Sequence, residues 1–306
     1  MRVAAIDCGT NSIRLLIADI DTSARTLTEV TRQMRIVRLG EGVDQTGQFT
    51  EGAIKRTLEA VEFYAREIAR YQPEAVRFCA TSAARDASNR ALFIDGVEAI
   101  LHVTPEVISG TEEAHLSFLG ATRELPVDQG PFLVVDIGGG STEFVFGKSD
   151  VEAAISVNIG CVRMAERHFR LDPPGEEELA SARVDIDKAI AEAALVVPIT
   201  KAKTLVAVAG TATTVAAAAL DLPSYDPEVL HLARVDALKT HEVAANFALL
   251  DHNARAALPF MHPGRVDVIA AGALVLSRVI DATGASEFVA SEHDILDGIA
   301  WGLTER

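Results

Sequence analysis

The sequence contains two copies of one short motif, and this internal repeat constrains the fold more than any other feature. Residues 6–14, Ile-Asp-Cys-Gly-Thr-Asn-Ser-Ile-Arg, align with residues 135–143, Val-Asp-Ile-Gly-Gly-Gly-Ser-Thr-Glu, at a constant offset of 129. In each copy an apolar strand runs into Asp-x-Gly-x-x-Ser and a second apolar run follows, which predicts a β-hairpin with a glycine-bearing turn. We therefore expect two halves of similar structure.

The segment between the two copies marks a domain boundary. Residues 126–131, Pro-Val-Asp-Gln-Gly-Pro, are rich in residue types that end helices and precede new strands. The sequence therefore predicts two domains, residues 1–127 and residues 128–306. In both halves the hairpin is followed by alternating strand and helix patterns, which indicates an α/β fold. The two domains are expected to face a shared cleft.

Single elements are also predictable from the hydrophobic pattern. In the first half we expect a third strand near residues 28–39 and then a helix that is capped by Thr50. In the second half the apolar spacing predicts a helix over residues 176–195 with one buried face. A buried strand over residues 205–209 comes next, and we interpret residues 210–214 as the loop that follows it.

The composition excludes several classes of protein. With 28 Lys and Arg residues against 44 Asp and Glu residues, the net charge is -16, so the surface repels nucleic acids and anionic membranes. The three cysteines are odd in number and lack CxxC spacing, which argues against a disulfide framework and a cysteine zinc site. Neither a signal-peptide core nor an apolar stretch of membrane-spanning length is found. We expect a cytoplasmic protein.

Both copies of the repeat have the composition of a phosphate-binding turn. Glycines let backbone N–H groups approach an anion, and a hydroxyl group donates a further hydrogen bond. The Gly-Thr pair after the strand at residues 205–209 is a third candidate of this kind. The predicted phosphate-binding residues are Gly9, Thr10, Asn11, Ser12, Gly138, Gly139, Gly140, Ser141, Gly210 and Thr211. For a single copy, a plain hairpin turn is the alternative.

The aspartates of the repeat, Asp7 and Asp136, point to a cation. Carboxylates and phosphate oxygens repel each other unless a positive charge lies between them, and Mg²⁺ is the hard cation that binds both. Glu143 lies on the returning strand, within reach of the same ion. We therefore predict a Mg²⁺ site with Asp136, Glu143 and Asp7 as its carboxylates. The alternatives are turn aspartates that accept hydrogen bonds from nearby N–H groups, and an exposed strand glutamate.

Two other charged segments of the first half follow predicted strands. Arg85 comes after the strand at residues 76–80, where α/β sheets open toward ligands, and is a candidate phosphate clamp. A solvated arginine paired with Asp86 is the alternative. Glu112 and Glu113 begin a helix about 100° apart, so only one of them can face a ligand. A carboxylate there can accept a proton from water, or can simply stabilise a helix N-terminus.

Other sites are less favoured by the sequence. It contains neither a GxxxxGK[ST] phosphate loop nor a GxSxG nucleophile motif. Several histidines lack the spacing of a metal-binding pair, and we interpret them as structural: His115, His168, His231 and His262. Since the proposed ligand is an anion and the chain is acidic, we expect certain arginines to gather at the cleft. They are Arg14, Arg38, Arg85, Arg163, Arg255 and Arg265.

Taken together, these motifs resemble the exopolyphosphatase/guanosine pentaphosphate phosphatase family, within the superfamily of actin, sugar kinases and heat-shock ATPases. The resemblance covers nearly the whole chain. It is carried by residues 5–12, 38–42, 80–87, 108–114, 135–143 and 209–214. It implies an α/β fold of two duplicated actin-like (ribonuclease H-like) domains with an inter-domain cleft.

The resemblance also implies a reaction. Members of the family hydrolyse the terminal phosphate of inorganic polyphosphate, releasing orthophosphate, or the 5′-terminal phosphate of guanosine pentaphosphate, with Mg²⁺. By motif position, Glu113 corresponds to the general base and Asp136 with Glu143 to the metal environment. Arg85 and the two loops correspond to phosphate binding. A phosphotransferase or ATPase on the same scaffold, and a non-catalytic sensor of guanosine tetra- or pentaphosphate, are the alternatives.

Longer members of the family carry additional helical domains at the C-terminus. This sequence ends at Arg306, after the second predicted domain, and is similar to the short, two-domain members. We therefore expect short polyphosphate chains as substrates. We also expect a homodimer.

Overall fold

The computed structural model describes residues 1–304, which form two compact units. The first unit contains Met1–Gly120 and the described residues from Ile295 onward, and the second contains Ala121–Asp294. No helix within residues 1–304 combines the length and the apolar character that a membrane span requires.

A five-stranded sheet forms the centre of the first unit. Its strands are β1 (Arg2–Cys8), β2 (Ser12–Asp21), β3 (Thr26–Ile36), β4 (Ala75–Ala80) and β5 (Glu106–Val107). Their order across the sheet is β3-β2-β1-β4-β5, with β1 antiparallel to β2 and parallel to β4. The helices of this unit are α1 (Val43–Thr46), α2 (Glu51–Tyr71), α3 (Ser82–Asp86), α4 (Arg90–Leu101), α5 (Gly110–Thr122) and, from the end of the chain, α13 (Ile295–Gly302).

The central strand β1 is buried on both faces, which explains its nearly continuous apolar sequence. Ile6 belongs to the core cluster that α2 and α4 complete with Tyr64 and Phe93. Ala5, on the opposite face, belongs to a second cluster with Trp301 of α13. Asp7 ends this apolar run at the edge where the turn begins.

The second unit repeats the arrangement of the first. Its strands are β6 (Phe132–Ile137), β7 (Thr142–Gly147), β8 (Val151–Val157), β9 (Thr204–Val208), β10 (Arg234–Asp236) and β11 (Glu287–Ser291). Its sheet has the order β10-β11-β9-β6-β7-β8, so β8, β7, β6, β9 and β11 take the places of the five strands in the first unit. The prediction of an α/β fold with two duplicated actin-like, ribonuclease H-like domains is confirmed.

The helices of the second unit cover this sheet and leave one large core cluster between the layers. They are α6 (Cys161–His168), α7 (Glu176–Val196), α8 (Ala209–Ala219), α9 (Pro227–Leu230), α10 (Ala237–Leu249), α11 (His252–Ala256) and α12 (Ile269–Thr283). Short 3-10 helices occur at Val127–Gln129, Ile199–Lys201 and Pro263–Arg265.

Most of the elements named from the hydrophobic pattern are present. The third strand spans Thr26–Ile36, and the Thr50 hydroxyl caps α2 by accepting a hydrogen bond from the Ala53 N–H at 3.1 Å. The predicted helix over residues 176–195 is α7. The two hairpins form as expected, with Cys8 opposite Ile13 and Ile137 opposite Thr142.

The prediction of a loop at residues 210–214 is wrong, because these residues form the first turns of α8. Val208 is extended and Ala209 has a φ of 66°, so the chain passes from strand to helix within two residues. The hydroxyl groups of Thr213 and Thr214 then donate to carbonyl oxygens four residues earlier. Thus a threonine-rich segment, which suggests a loop by composition, satisfies its polar groups inside the helix.

The structure also places the last helix, α13, in a different unit from the one that the predicted domain boundary gives it. That division assigns all of residues 128–306 to the second domain, whereas α13 packs on β1 and β2 of the first sheet. Asp297 of α13 is buried, and both of its carboxylate oxygens accept hydrogen bonds from Arg32 of β3, at 2.6 and 3.2 Å. The helix lies here because the first sheet has a second apolar face, which α13 and α5 cover.

Candidate active site

The turn between β1 and β2 is held by its carbonyl oxygens. The Thr10 carbonyl accepts a hydrogen bond from the Gly40 N–H at 2.9 Å. The Asn11 carbonyl accepts two, from the N–H groups of Val37 at 3.0 Å and Arg38 at 2.9 Å. The Thr10 N–H, in contrast, donates to no acceptor within residues 1–304. A turn whose carbonyl groups are bound on one side offers its amide hydrogens to an anion on the other.

The Thr10 side chain gives independent support for a ligand at this turn. Its hydroxyl oxygen is the one buried side-chain nitrogen or oxygen atom in residues 1–304 that has no hydrogen-bond partner. Buried polar atoms are almost always paired, since an unpaired one loses its hydration without compensation. The predicted phosphate-binding role of Thr10 is consistent with this exception.

Glu113 lies in the first turn of α5 and points into the protein. Its side chain accepts a hydrogen bond from Arg85 at 2.6 Å, and the Thr81 hydroxyl lies nearby. Glu112, one residue earlier, is exposed and forms an ion pair with Arg77 at 2.5 Å. Helical spacing alone leaves open which glutamate faces inward, whereas the family resemblance implies Glu113. The structure buries Glu113 and exposes Glu112. Arg85 bonds Glu113 and the Ile108 carbonyl, in place of the alternative pairing with Asp86.

Burial raises the pKa of Glu113 to about 6, and the nearby negative charge of Asp7 adds to this effect. Arg85 and the Thr81 hydroxyl act in the opposite direction, because both stabilise the ionised carboxylate. A carboxylate with a pKa near 6 is ionised at neutral pH and is still basic enough to accept a proton from water. This combination is typical of a general base.

Asp7 itself is committed to an ion pair. It stands opposite Arg14 in the β1–β2 ladder, and its Oδ2 accepts hydrogen bonds from Arg14 Nη2 at 2.7 Å and Nε at 3.0 Å. Such a bidentate pair holds the arginine at the base of the turn. The prediction that Asp7 contributes to a metal site stays a prediction, and the structure adds this cationic partner to it.

The turn between β6 and β7 is built in the same way as the first. The Gly138 carbonyl accepts from the Cys161 N–H at 2.9 Å, and the Gly139 carbonyl accepts from the Arg163 N–H at 3.1 Å. The Gly140 carbonyl accepts from the Arg163 guanidinium at 2.6 Å. The N–H groups of Gly139 and Gly140 donate to no acceptor in the described chain, residues 1–304. Both copies of the repeat therefore present unpaired amide hydrogens.

Two glycines outside the repeat make these turns possible, and sequence reasoning missed both as site residues. A Cβ atom on Gly160 would lie 2.3 Å from the carbonyl carbon of Gly139, and a Cβ atom on Gly40 would lie 2.3 Å from the Thr10 methyl carbon. Gly40 belongs to the Arg-Leu-Gly-Glu-Gly segment, which carries part of the family resemblance and could have indicated this contact. Nothing in the sequence around Gly160 indicates its contact with the turn.

Asp136 and Glu143 are directly opposite each other on β6 and β7, and both are buried. The alternative of an exposed strand glutamate is therefore wrong for Glu143. Its Oε1 accepts hydrogen bonds from the hydroxyls of Ser141 at 2.8 Å and Ser156 at 2.7 Å. Two opposed carboxylates destabilise a ladder unless a cation compensates them. Their oxygen donors suit Mg²⁺, a hard cation that takes few protein ligands.

Gly210 and Thr211 occupy the N-terminus of α8, but the Thr211 side chain faces the interior. Its hydroxyl lies near the Cys161 thiol and against Gly272 of α12. The Arg265 guanidinium packs on Gly210 and donates to the Thr214 hydroxyl at 3.0 Å. Phosphate binding at Thr211 would consequently rely on backbone N–H groups of the helix terminus rather than on its hydroxyl.

Comparison of this chain with known protein families finds one family that matches most of its length. A profile described as the Ppx/GppA phosphatase family matches residues 16–305. The chain belongs to the Ppx/GppA phosphatase family. Among its relatives is a protein named exopolyphosphatase 2 from Mycobacterium tuberculosis, which is 46% identical over 99% of this chain and 98% of its own length.

Solved structures of Ppx/GppA proteins have the same fold. A crystal structure of an exopolyphosphatase-like protein has a TM-score of 0.95 at 44% identity and covers 100% of this chain and 99% of its own. The Ppx/GppA family member of Aquifex aeolicus has a TM-score of 0.83 at 30% identity, again with 100% and 99% coverage.

The expected gathering of arginines at the anion site of this Ppx/GppA phosphatase stays a prediction, but Arg255 has its guanidinium bound elsewhere. Its guanidinium is buried and donates to the carbonyls of Val266 at 2.9 Å and Leu250 at 2.6 Å. It also forms an ion pair with Asp172 at 2.5 Å. Because its donors are used within the second unit, Arg255 supports the loops around α11, and its predicted role at the anion site is wrong.

Proposed function

We propose that the chain is an exopolyphosphatase that hydrolyses the terminal phosphoanhydride bond of inorganic polyphosphate and releases orthophosphate. The observation that carries this proposal is the buried Glu113, whose raised pKa and hydrogen bond to Arg85 suit a base beside an anion. The two turns with unpaired amide hydrogens support it, as does the similarity to a protein named exopolyphosphatase 2.

In this proposal, Glu113 accepts a proton from a water molecule as the water oxygen attacks the terminal phosphorus. The bond from that phosphorus to the bridging oxygen breaks, and the shortened chain leaves. In the first unit, the Arg85 guanidinium and the Thr10 N–H are the groups that stabilise negative charge on phosphoryl oxygens. The second unit offers the N–H groups of Gly139 and Gly140 for phosphate oxygens. Hydrogen bonds within each turn fix its N–H groups, and Arg85 is held by Glu113 and the Ile108 carbonyl, so little reorganisation is needed during the reaction.

Asp136 and Glu143 are the residues that would hold Mg²⁺, with Ser141 and Ser156 fixing one oxygen of Glu143. Bound Mg²⁺ would supply positive charge against the phosphate oxygens. The serine hydroxyls contribute by orienting the Glu143 carboxylate before any ligand arrives. The proposed partners are thus Mg²⁺ and a phosphoanhydride anion. The homodimeric state and the cytoplasmic location stay predictions from the sequence.

Phosphate release from four substrates tests the proposal. Short polyphosphate, long polyphosphate, guanosine pentaphosphate and ATP are each incubated with the chain in Mg²⁺ and in EDTA. We expect release from polyphosphate with Mg²⁺, and at least a roughly tenfold loss in EDTA because the carboxylate pair then lacks its cation. Release from guanosine pentaphosphate alone would replace the proposed substrate. Turnover of ATP alone would favour a phosphotransferase, and binding of the guanosine nucleotides without turnover would favour a sensor.

The rate is expected to depend on pH through Glu113. Since a base must be ionised, kcat/KM should rise about tenfold per pH unit below pH 6 and level off above it. Arg85→Ala removes the cation that lowers the pKa of Glu113, so the rising limb should move to higher pH in this variant. A pH profile of kcat/KM for both proteins measures the shift. An identical limb in the two profiles would contradict the assignment of Glu113.

A further inference from the structure

Outside the residues assigned above, the second unit brings two histidines and a glutamate together. Glu124 Oε2 lies 2.9 Å from His231 Nε2, and Glu124 Oε1 lies 3.6 Å from His293 Nδ1. One nitrogen or oxygen atom from each of the three residues lies within 4.8 Å of the others, and the two imidazole rings are 4.3 Å apart between centroids. His231 and His293 lie 62 residues apart in the sequence (293 minus 231), so their spacing does not predict a metal-binding pair. They form a pair only in the fold, and the sequence therefore favours a structural role for His231.

The backbone fixes the two histidines next to each other. The Leu232 N–H donates to the Ala290 carbonyl, and the Ala290 N–H donates to the Ala233 carbonyl, each at 2.8 Å. These two bonds join the residues that follow His231 to the residues that precede His293. The Ser291 hydroxyl then donates to the His293 carbonyl at 2.8 Å and accepts from the His293 N–H at 3.1 Å. These hydrogen bonds therefore hold the backbone of His231 near that of His293 before any ligand binds.

We propose that Glu124, His231 and His293 bind a divalent transition metal, with Zn²⁺ as the preferred ion. Zinc bonds of about 2.0–2.2 Å in tetrahedral geometry place neighbouring ligand atoms roughly 3.3 Å apart. One ligand atom from each of the three residues already lies within 4.8 Å of the other two, so side-chain rotations can bring them to this distance. Two imidazoles and one carboxylate form a donor set for zinc, whereas Mg²⁺ requires oxygen ligands.

The site also fits an ion that enters from solvent. The side chains of His231 and His293 are 20% and 29% exposed, and that of Glu124 is 54% exposed, which leaves the fourth position to water. In the metal-free chain, the Glu292 N–H donates to His231 Nδ1 at 3.3 Å, which places the ring proton on Nε2, toward Glu124. Zinc at Nε2 requires that proton to move through solvent to Nδ1. The hydrogen bond from the Glu292 N–H to Nδ1, which is long at 3.3 Å, is then lost.

Calorimetric titration of the EDTA-treated full chain with Zn²⁺, in an excess of Mg²⁺, tests the proposal. We expect about one Zn²⁺ per chain with a Kd of roughly 1 µM or lower. The double variant His231→Ala/His293→Ala should lose affinity by about 100-fold or more, and Glu124→Gln by about tenfold. His252→Ala is the matched control, because it removes a histidine that contacts one carboxylate, Asp267 at 2.8 Å, and its affinity should equal that of the parent chain.

Two results would overturn the inference. One is the absence of saturable Zn²⁺ binding by the parent chain, and the other is an unchanged Kd in the double variant. Asp136→Asn tests whether Zn²⁺ binds at the proposed Mg²⁺ carboxylates. If Zn²⁺ binding is lost in this variant only, the ion binds at those carboxylates and the inference is wrong. Glu124→Gln alters an exposed side chain and serves as the second variant if the double variant does not fold. No arm depends on catalytic activity, so the result is independent of the proposed function.

Discussion

Replacing Glu113 by glutamine is expected to lower kcat for phosphate release from polyphosphate by about 100-fold or more, with a smaller effect on KM. Glutamine keeps the shape of the side chain and accepts a hydrogen bond from Arg85, but it does not take a proton from water. Substrate binding should persist because the Arg85 guanidinium and the N–H groups of the turns are unchanged. Steady-state kinetics of the purified variant measure both constants.

Glu112→Gln is the matched control for this variant. Glu112 is the neighbouring residue on the same helix, but it is exposed and pairs with Arg77, so its substitution should leave kcat within about twofold. Near-normal turnover in Glu113→Gln, or an equal loss in Glu112→Gln, would contradict the assignment of the base.

The stability of Glu113→Gln separates a catalytic effect from a structural one. The folded chain raises the pKa of Glu113 from 4.5 to about 6, so the folded state binds this proton more tightly than the unfolded state does. The contribution of Glu113 to stability is therefore present below pH 4.5 and is lost as the pH rises through 6. At pH 8 the variant no longer buries that charge, and its Tm should equal or exceed that of the parent chain. A much lower Tm would indicate that lost activity reflects unfolding.

The sequence predicts well the hairpins, caps and helices that depend on a local pattern of residues. The two hairpins follow from apolar runs that flank Asp-x-Gly-x-x-Ser, and their positions agree with the structure. Similarly, the cap at Thr50 and the helix Glu176–Val196 follow from short-range rules of capping and periodicity. The duplication of the sheet order follows from the repeat, since each copy fixes the first two strands of a sheet.

The sequence does not predict features that depend on contacts between distant segments, such as side-chain orientation and helix docking. Helical geometry allows either Glu112 or Glu113 to face inward, and the choice is made by Arg77 and Arg85, which come from a strand and a helix earlier in the chain. The docking of α13 on the first sheet depends on an apolar face left uncovered by the residues before it. Likewise, the interior position of the Thr211 hydroxyl depends on Cys161 and Gly272.

Gly160 is the residue where such a distant contact has the largest predicted consequence. A Cβ atom at this position would lie 2.3 Å from both the carbonyl carbon and oxygen of Gly139 and 2.5 Å from the Gly140 nitrogen. These are backbone atoms, so no side-chain rotation relieves the overlap, and the turn between β6 and β7 must move. Gly160→Ala should therefore displace the N–H groups of Gly139 and Gly140 and lower kcat/KM for polyphosphate by about 100-fold.

Gly175→Ala is the control that makes this result specific to the turn. Gly175 also precedes a helix and has an ordinary φ of -75°, but its added Cβ atom would meet the Leu171 side chain at 3.4 Å, an acceptable contact. Its kcat/KM should stay within about twofold of the parent value. Thermal unfolding of both variants shows whether each remains folded at the assay temperature. Parent-like kinetics in a folded Gly160→Ala protein would mean that the second turn does not hold the phosphate, because its amide groups cannot keep their positions beside a methyl group.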